Sequence, residues 1–253
     1  MSAAPDLFDL SGLHALVTGS TRGLGLVLGR GLAAAGARVA VNGRDRERVE
    51  AVAAALRAEG LDAHGAPFDV TDAGEVEGAV GALGPVDVLV NNAGIQRRHP
   101  LESFPDADWH AVIETNLTAP FMVSRAVARG MIECGRGKIV NVASVQSGLA
   151  RPTIAAYASA KGALKMLTQS MCAEWARHGV QANAIGPGYF ATEMNAALTA
   201  DPEFDAWLRA RTPAARWGRP EELVGAAVFL ASAASDFVNG QILYVDGGLT
   251  AVV

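Results

Sequence analysis

The chain has 253 residues, of which 50% are hydrophobic and 19% charged, so it can bury a sizeable core and is not a disordered protein. Its two cysteines, Cys134 and Cys172, lie far apart without a Cys-x-x-Cys pair, which excludes a disulfide scaffold and a four-cysteine zinc site. The net charge is −5 and the basic residues are scattered, so no nucleic-acid surface is indicated. No apolar run reaches the length of a membrane span, and Met1–Leu10 has no basic leader, so we expect a cytoplasmic protein.

Apolar runs of strand length alternate with longer stretches rich in Ala, Leu, Arg and Glu along the whole chain. The predicted strands are His14–Val17, Arg38–Val41, Ala63–Phe68 (the weakest), Val86–Val90, Lys138–Val142, Val180–Ile185 and Gln241–Val245. The predicted helices are Leu24–Ala35, Arg46–Glu59, Ala73–Leu83, Asp106–Ile132, Ala155–Arg177 and Glu221–Ala231. Strands with almost no polar face fit a parallel sheet covered by helices on both faces. The sequence therefore predicts one α/β domain over residues 1–253, a doubly wound Rossmann-type fold with about seven strands.

The segment 189–217 does not fit this alternation. It contains Pro202 and Pro213 and two tryptophans, Trp207 and Trp217, that we expect to be exposed. It also follows a strand end, where ligands of doubly wound sheets bind. We therefore predict that this segment is a mobile lid over a substrate site.

A glycine-rich turn, Thr18–Gly25, joins the first predicted strand to the first helix. Glycines permit a tight turn and a close approach of the backbone to a pyrophosphate, and helix N-terminal amides attract the phosphate charge. An ordinary turn between strand and helix would also explain the glycines, but the position between those two elements favours a dinucleotide cofactor. The residues expected to contact the cofactor are Gly19, Thr21, Arg22, Gly23, Leu24 and Gly25.

The end of the second predicted strand indicates which cofactor is bound. Gly43 stands where an NAD-selective site would place an acidic residue. Arg44 and Arg22 are able to bond a 2'-phosphate, although most arginines are solvated and Asp45 dilutes the positive charge. The pattern favours NADP over NAD, with NAD still open, and makes Asn42 and Arg44 further candidates for cofactor binding.

Tyr157 and Lys161 are four residues apart near the start of a predicted helix and therefore share one face. An acid/base role near neutral pH requires the pKa of tyrosine, ordinarily about 10, to fall by about 3 units. Lys161, together with a positive nicotinamide ring, can supply much of that change. Ser144 follows the predicted strand Lys138–Val142, where its hydroxyl is able to polarise a carbonyl oxygen. Taken singly, a helix-surface pair and a turn serine would explain these residues.

Together these motifs resemble the short-chain dehydrogenase/reductase family over essentially the whole chain. Thr18–Gly25 fits its T-G-x-x-x-G-x-G pattern, Asn91–Gly94 its N-N-A-G, Tyr157–Lys161 its Y-x-x-x-K and Pro187–Thr192 its P-G-x-x-x-T. The resemblance implies hydride transfer between a nicotinamide cofactor and a secondary alcohol or ketone, and a homotetrameric assembly.

The resemblance also implies roles for individual residues. Tyr157 would be the general acid/base, Ser144 would steady the substrate oxygen, Lys161 would lower the tyrosine pKa and bind the nicotinamide ribose, and Asn116 would hold a water in a proton relay. Further implied cofactor contacts are Asp69 and Val70 at the adenine, Asn92, Ala93 and Gly94, and Pro187, Gly188, Phe190 and Thr192, the last at the carboxamide. The four residues Ser144, Tyr157, Lys161 and Asn116 form a catalytic tetrad in the family, and none of them departs from the family pattern. This argues against a non-catalytic, cofactor-sensing relative.

Several segments resemble one group within the family, the bacterial gluconate 5-dehydrogenases, which interconvert D-gluconate and 5-keto-D-gluconate. These segments are Asn91–Arg98, Ser144–Ser147, Ala150–Thr153, Glu174–Gly179, Gly186–Phe190 and Tyr244–Thr250. Three other activities remain open: a 2-deoxygluconate or related keto-sugar-acid dehydrogenase, a 3-oxoacyl-carrier-protein reductase and another alcohol dehydrogenase. The five histidines show no metal-ligand spacing, so no metal site is predicted.

The chemistry of the residues after the predicted strands is compatible with a sugar acid. Arg97, Arg98 and Arg151 are placed to meet a carboxylate, although a structural salt bridge would explain each of them; Arg98 is favoured. Gln146 is able to bond a polyol hydroxyl. The predicted substrate residues are Ser144, Gln146, Arg98, Arg151 and Tyr157.

Overall fold

Seven parallel strands form the single sheet of the computed structural model, which describes residues 7–253; residues 1–6 of the predicted domain lie outside the described residues. The strands are β1 (His14–Val17), β2 (Arg38–Gly43), β3 (Ala63–Pro67), β4 (Val88–Asn91), β5 (Gly137–Val142), β6 (Val180–Pro187) and β7 (Ile242–Val245). Their order in the sheet is β3-β2-β1-β4-β5-β6-β7, which confirms the predicted doubly wound architecture. The order reverses between β1 and β4, and sheets of this kind bind ligands beyond the strand ends at that point.

Helices cover both faces of the sheet. They are α1 (Gly23–Ala34), α2 (Arg46–Ala58), α3 (Ala73–Leu83), α4 (Asp106–Ile113), α5 (Ala119–Cys134), α6 (Ala155–Trp175), α7 (Ala196–Thr199), α8 (Pro202–Arg211) and α9 (Val224–Ala231). Buried residues of α1, α2 and α9 form one core, and those of α3, α5 and α6 form the other. Successive strand residues point to opposite faces, so Leu16 belongs to one core and Val17 to the other. Among residues 7–253, no helix is both long and apolar enough to cross a membrane.

The long helix predicted over Asp106–Ile132 is interrupted, and this part of the prediction is wrong. A π-helical segment, Glu114–Thr118, separates α4 from α5, and the Ala119 amide donates to the carbonyl of Glu114. The backbone stays helical through this segment, so a stretch of helix-forming residues does not by itself reveal it. Such insertions are frequent at functional sites, and this one carries Asn116.

The segment 189–217 contains α7 and α8 and closes over the carboxyl ends of the strands. Trp207 is 47% exposed, as expected, but Trp217 is half-buried, so that expectation is wrong for Trp217. Its ring lies 6.0 Å from Tyr189 and 6.2 Å from Phe204, and its Nε1 donates to Asp205 at 2.7 Å. Only the folding of this segment on itself could reveal that contact. The mobility of the lid remains a prediction.

Candidate active site

The turn after β1 accepts only glycine at two of its positions. Gly19 has φ +61°, and a Cβ there would lie 2.9 Å from the Cα of Ala93. A Cβ at Gly25 would collide with the carbonyl of Gly19 and with the side-chain amide of Asn92. The glycines therefore bring the first turn of α1 close to the loop that follows β4.

The N-terminus of α1 is uncapped, as are those of α5, α6 and α9. It has no side-chain cap and no acidic residue in its first turn, whereas Asp45, Asp72 and Asp201 cap α2, α3 and α8. Its N-cap residue is Arg22, whose side chain is 67% exposed. Helix N-terminal amides without an acidic cap attract an anion. These features fit a phosphate group of a dinucleotide.

The end of β2 leaves room for a second anion. A Cβ at Gly43 would lie 2.9 Å from the side chain of Thr21, so an acidic side chain at position 43 would require the turn to move. The Arg44 side chain is 80% exposed, and its nearest carboxylate, Asp69, is 3.8 Å away. Arg44 can therefore reach outward to a 2'-phosphate on the ribose, as the sequence predicts.

Two of the predicted cofactor residues, Asn42 and Phe190, are buried and have side chains that contact other parts of the protein. The Asn42 side chain accepts from the amide of Gly19 and donates to the carbonyls of Ala66 and Phe68. The Phe190 side chain lies in the hydrophobic core. Asn42 thus fixes the glycine turn against β3, and direct contact of either side chain with the cofactor remains a prediction. The others follow the carboxyl ends of β3, β4 and β6: Asp69, Val70, Asn92, Ala93, Gly94, Pro187, Gly188 and Thr192.

Asn116 fixes the loop after β4. Its side chain is completely buried, its Oδ1 accepts from the amide of Ile95 at 3.1 Å, and its Nδ2 donates to the carbonyl of Ile95 at 2.8 Å. A Cβ at Gly94 would lie 2.6 Å from that Oδ1, so only glycine allows this approach. The side chain of Asn116 is therefore engaged by protein, and its role in holding a relay water remains a prediction.

Ser144, Tyr157 and Lys161 meet where β5 ends and α6 begins. The side chains of Ser144 and Tyr157 both line one cavity, and Ser144 Oγ accepts from the amide of Gln146 at 3.1 Å. Lys161 Nζ lies 5.6 Å from the centre of the Tyr157 ring and donates to the carbonyl of Val142 at 2.6 Å. Because Tyr157 and Lys161 share one helix face, the lysine ammonium lies near the tyrosine ring. Its hydrogen bond to the Val142 carbonyl of β5 holds it in this position.

Burial dominates the electrostatics of this group. It raises the pKa of Tyr157 above its ordinary value, and the hydrogen bond from Ser144 opposes that rise. Burial also lowers the pKa of Lys161 from 10.5 to about 8. The lowering of the tyrosine pKa by Lys161 together with a bound nicotinamide stays a prediction. The oxidised nicotinamide ring supplies additional positive charge when it is bound.

A cavity opens beside Ser144 and Tyr157. Three predicted substrate residues, Arg98, Gln146 and Arg151, line its wall. Sequence reasoning missed three further polar residues of this wall: Gln96, Tyr189 and Asn195. Gln96 and Tyr189 belong to segments that the motifs had already marked, whereas nothing in the local sequence pointed to Asn195.

The three arginines have different surroundings. Arg97 lies 3.4 Å from Asp108 and so forms the salt bridge that the alternative explanation required. Among residues 7–253, neither Arg98 nor Arg151 has a carboxylate within 4.0 Å. Burial and the charge of Arg151 both lower the pKa of Arg98, and both arginines line the same cavity. Two cations without a counter-ion at a cavity wall are suited to an anionic ligand.

Gln146 and Gln96 complete this wall. Within the described chain, the buried Oε1 of Gln146 has no hydrogen-bond partner, so it offers an acceptor to a ligand hydroxyl. The Oε1 of Gln96 accepts from Arg98 at 3.1 and 3.3 Å and orients that guanidinium. The cavity therefore combines a proton-transfer group, a cationic pair and an acceptor for hydroxyls.

Comparison with known proteins gives consistent results. A family model described as short chain dehydrogenase matches residues 13–203. The chain is 59% identical to a gluconate 5-dehydrogenase of Gluconobacter oxydans, over 97% of this chain and 98% of the relative. It is 54% identical to a 5-keto-D-gluconate 5-reductase of Escherichia coli, over 98% and 99%. A solved gluconate 5-dehydrogenase from Burkholderia cenocepacia, in complex with NADP and tartrate, superposes with TM-score 0.98 at 57% identity, covering 99% of this chain and 100% of that one.

Proposed function

Because the chain belongs to the short-chain dehydrogenase family, we propose that it is an NADP(H)-dependent oxidoreductase that interconverts D-gluconate and 5-keto-D-gluconate. The observation that carries the substrate class is the pair Arg98 and Arg151, two guanidinium groups without a carboxylate partner in the described chain, on the same cavity wall as Ser144 and Tyr157. A carboxylate at one end of the substrate can accept hydrogen bonds from both guanidinium groups while a hydroxyl-bearing carbon reaches the tyrosine. The gluconate 5-dehydrogenase and the 5-keto-D-gluconate reductase among the relatives support this choice.

The protein residues of the site handle the proton. In the oxidation direction, the Tyr157 oxygen takes the proton of the C5 hydroxyl while the hydride on C5 departs and C5 becomes a carbonyl carbon. Accepting and returning that hydride is the chemistry that the nicotinamide supplies when bound. Ser144 donates a hydrogen bond to the substrate oxygen in both directions. In the reduction direction, Tyr157 returns the proton to the oxygen.

Initial rates with D-gluconate, measured in parallel with NADP and NAD by the absorbance of the reduced cofactor, test this function. We expect turnover with NADP well above turnover with NAD. Turnover of an acetoacetyl thioester in the absence of gluconate turnover would show instead a reductase of carrier-protein thioesters. Binding of NADP without turnover of any sugar acid or ketone would contradict the enzymatic proposal itself.

The cofactor preference predicts the effect of Arg44→Ala. The exposed guanidinium is placed to form a charge-assisted bond with the 2'-phosphate, a contact worth about 1.5–3 kcal/mol. We expect KM for NADP to rise by about 10-fold or more and KM for NAD to stay unchanged. Arg48→Ala, an exposed arginine in the first turn of α2, is the matched control. An equal loss with NADP and NAD would show that Arg44 does not read the 2'-phosphate.

The substrate class predicts different effects for adjacent arginines. We expect Arg98→Ala and Arg151→Ala each to raise KM for D-gluconate by about 10- to 100-fold, because each removes a charge-assisted hydrogen bond to the carboxylate. Arg97→Ala is the matched control, because Arg97 is paired with Asp108. We expect this variant to keep KM for D-gluconate within about two-fold of the parent value. Steady-state kinetics on the three variants would decide. An unchanged KM in both cavity variants would rule out the carboxylate clamp.

We infer a homotetramer from the family resemblance. Two exposed apolar features support an assembly: Phe121 on α5 and Met166 on α6 are 42% and 60% exposed, and at the β7 edge of the sheet Leu243 is 38% exposed. Size-exclusion chromatography with light scattering measures the mass directly. A monomer at micromolar concentration would contradict this assembly and leave the catalytic proposal intact.

A further inference from the structure

We propose that Phe204, on lid helix α8, is a positioning residue for Arg151, so that the grip on the substrate carboxylate depends on where the lid lies. The inference rests on the proposed function, because it concerns the same cationic pair. It assigns to the lid a role beyond covering the cavity: one of its side chains holds the group that binds the substrate anion.

The contact between the two residues leaves the guanidinium available to a ligand. The Arg151 guanidinium carbon lies 5.3 Å from the centre of the Phe204 ring. A carboxylate partner would occupy the N–H donors of Arg151, whereas a ring face orients the guanidinium plane without accepting any of those donors through a lone pair. Within residues 7–253 no carboxylate lies within 4.0 Å of this arginine. The arginine is therefore held and still able to form a bidentate pair with a carboxylate.

Phe204 is itself fixed by the aromatic residues of the lid. Its ring centre lies 5.2 Å from Trp207, 5.5 Å from Tyr189 and 6.2 Å from Trp217. Tyr189 also lines the substrate cavity, as do Gln146 and both arginines. The Phe204 ring that contacts Arg151 is therefore packed within an aromatic cluster. We expect it to move together with that cluster.

The backbone segments that carry Arg98 and Arg151 are joined by a hydrogen bond. The amide of His99, next to Arg98, donates to the carbonyl of Thr153 at 3.1 Å. Thr153 has φ +71°, a conformation that a β-branched residue rarely adopts, and it lies two residues after Arg151. The loops that carry the two arginines are thereby tied together. Arg98 is further held by Gln96, whereas the ring of Phe204 is the contact that the structure gives the Arg151 guanidinium.

This arrangement couples anion binding to the lid. With α8 in place, Arg151 is held against Phe204 on the cavity that it shares with Arg98, and a carboxylate in this cavity can accept hydrogen bonds from both guanidinium groups. If α8 withdraws, Arg151 loses the ring and gains rotational freedom, so the carboxylate binds more weakly. By the same linkage, a bound carboxylate stabilises the lid position in which Phe204 lies against Arg151.

The experiment compares three lid variants on the full-length protein loaded with NADP, with tartrate as the anionic probe. Phe204→Leu keeps an apolar side chain but removes the ring face, and we expect the Kd for tartrate, measured by calorimetry, to rise about 10-fold. Phe204→Tyr retains the ring and should stay within about two-fold of the parent. Trp207→Leu is the matched control. It removes a ring of the cluster that does not contact Arg151, while Tyr189 and Trp217 still hold Phe204, so the Kd should also stay within about two-fold of the parent.

Kinetics with D-gluconate give the second readout. Phe204→Leu should raise KM about 10-fold and leave kcat within about two-fold, and it should have no further effect in an Arg151→Ala background. Equal losses in Phe204→Leu, Phe204→Tyr and Trp207→Leu would show a merely structural role for the cluster and overturn the proposal. Unchanged tartrate binding in Phe204→Leu, or no tartrate binding by the parent protein, would overturn it as well. Normal tartrate behaviour without gluconate turnover would instead leave the positioning role standing and refute the proposed substrate.

Discussion

Replacing Tyr157 with phenylalanine should lower kcat by about 10³-fold and leave NADP binding almost unchanged. We propose that the hydroxyl of Tyr157, which lines the cavity together with Ser144, exchanges a proton with the substrate oxygen. General acid/base groups contribute about 10²- to 10⁴-fold to such reactions. Phenylalanine fills the same volume and preserves the ring that lies near Lys161. The variant therefore removes the proton-transfer group with little change in packing.

The measurement is steady-state turnover in both directions, with NADPH binding followed by fluorescence. Tyr189→Phe is the matched control, because it removes the other tyrosine hydroxyl of the same cavity and should change kcat by less than about five-fold. If Tyr157→Phe retained more than a tenth of the parent kcat, another group would have to exchange the proton, and the role given to Tyr157 would be wrong.

Replacing Lys161 with methionine should lower kcat by about 10²-fold and shift the pH dependence of oxidation to higher pH. The Tyr157 phenolate is the form that accepts the proton, and burial already raises the pKa of this tyrosine in the protein alone. Removing the ammonium near its ring takes away a positive charge that favours the phenolate. The rise of kcat/KM with pH should therefore begin at higher pH in the variant. Lys165→Met, one turn further along α6, is the control and should keep the parent profile.

The same substitution has an expected effect on stability. The pKa of Lys161 falls from 10.5 to about 8 on folding, so between these values the unfolded chain binds more protons and the free energy of unfolding rises with pH. Below pH 8 the buried charge costs about 3 kcal/mol in full. Lys161→Met removes that cost but leaves the Val142 carbonyl without its donor, a loss of about 1–3 kcal/mol. We expect a Tm at pH 7 no lower than that of the parent, and a weaker rise in stability from pH 8 to 10.

A Tm several degrees below that of the parent at pH 7 would show that the lysine is a net stabilising residue. Together with retained activity, it would also contradict the assignment of a buried, catalytically required charge. Loss of activity at full stability is the pattern expected of a residue kept for chemistry rather than for folding.

The features of this protein that are determined by residues close together in the sequence could be predicted from the sequence. The alternation of apolar runs and longer amphipathic stretches predicted the parallel sheet, because period and run length are properties of each element by itself. The glycine turn Thr18–Gly25 and the pair Tyr157 and Lys161 were predictable for the same reason, since their geometry is set within one turn or one helix. Even Ser144 and Asn116, though distant from that pair, follow from a family pattern that fixes their places on the sheet edge and the adjacent helix.

Only the tertiary structure decided which polar groups are satisfied within the protein and which remain available to a ligand. Three arginines are alike in the sequence, but Arg97 pairs with Asp108 of α4, whereas Arg98 and Arg151 line one cavity and pair with no carboxylate of the described chain. The ring beneath Arg151 comes from Phe204 of the lid, more than fifty residues further along the chain. Pairing, burial and the resulting pKa shifts are sums over all groups that packing brings together, and no local pattern contains that sum.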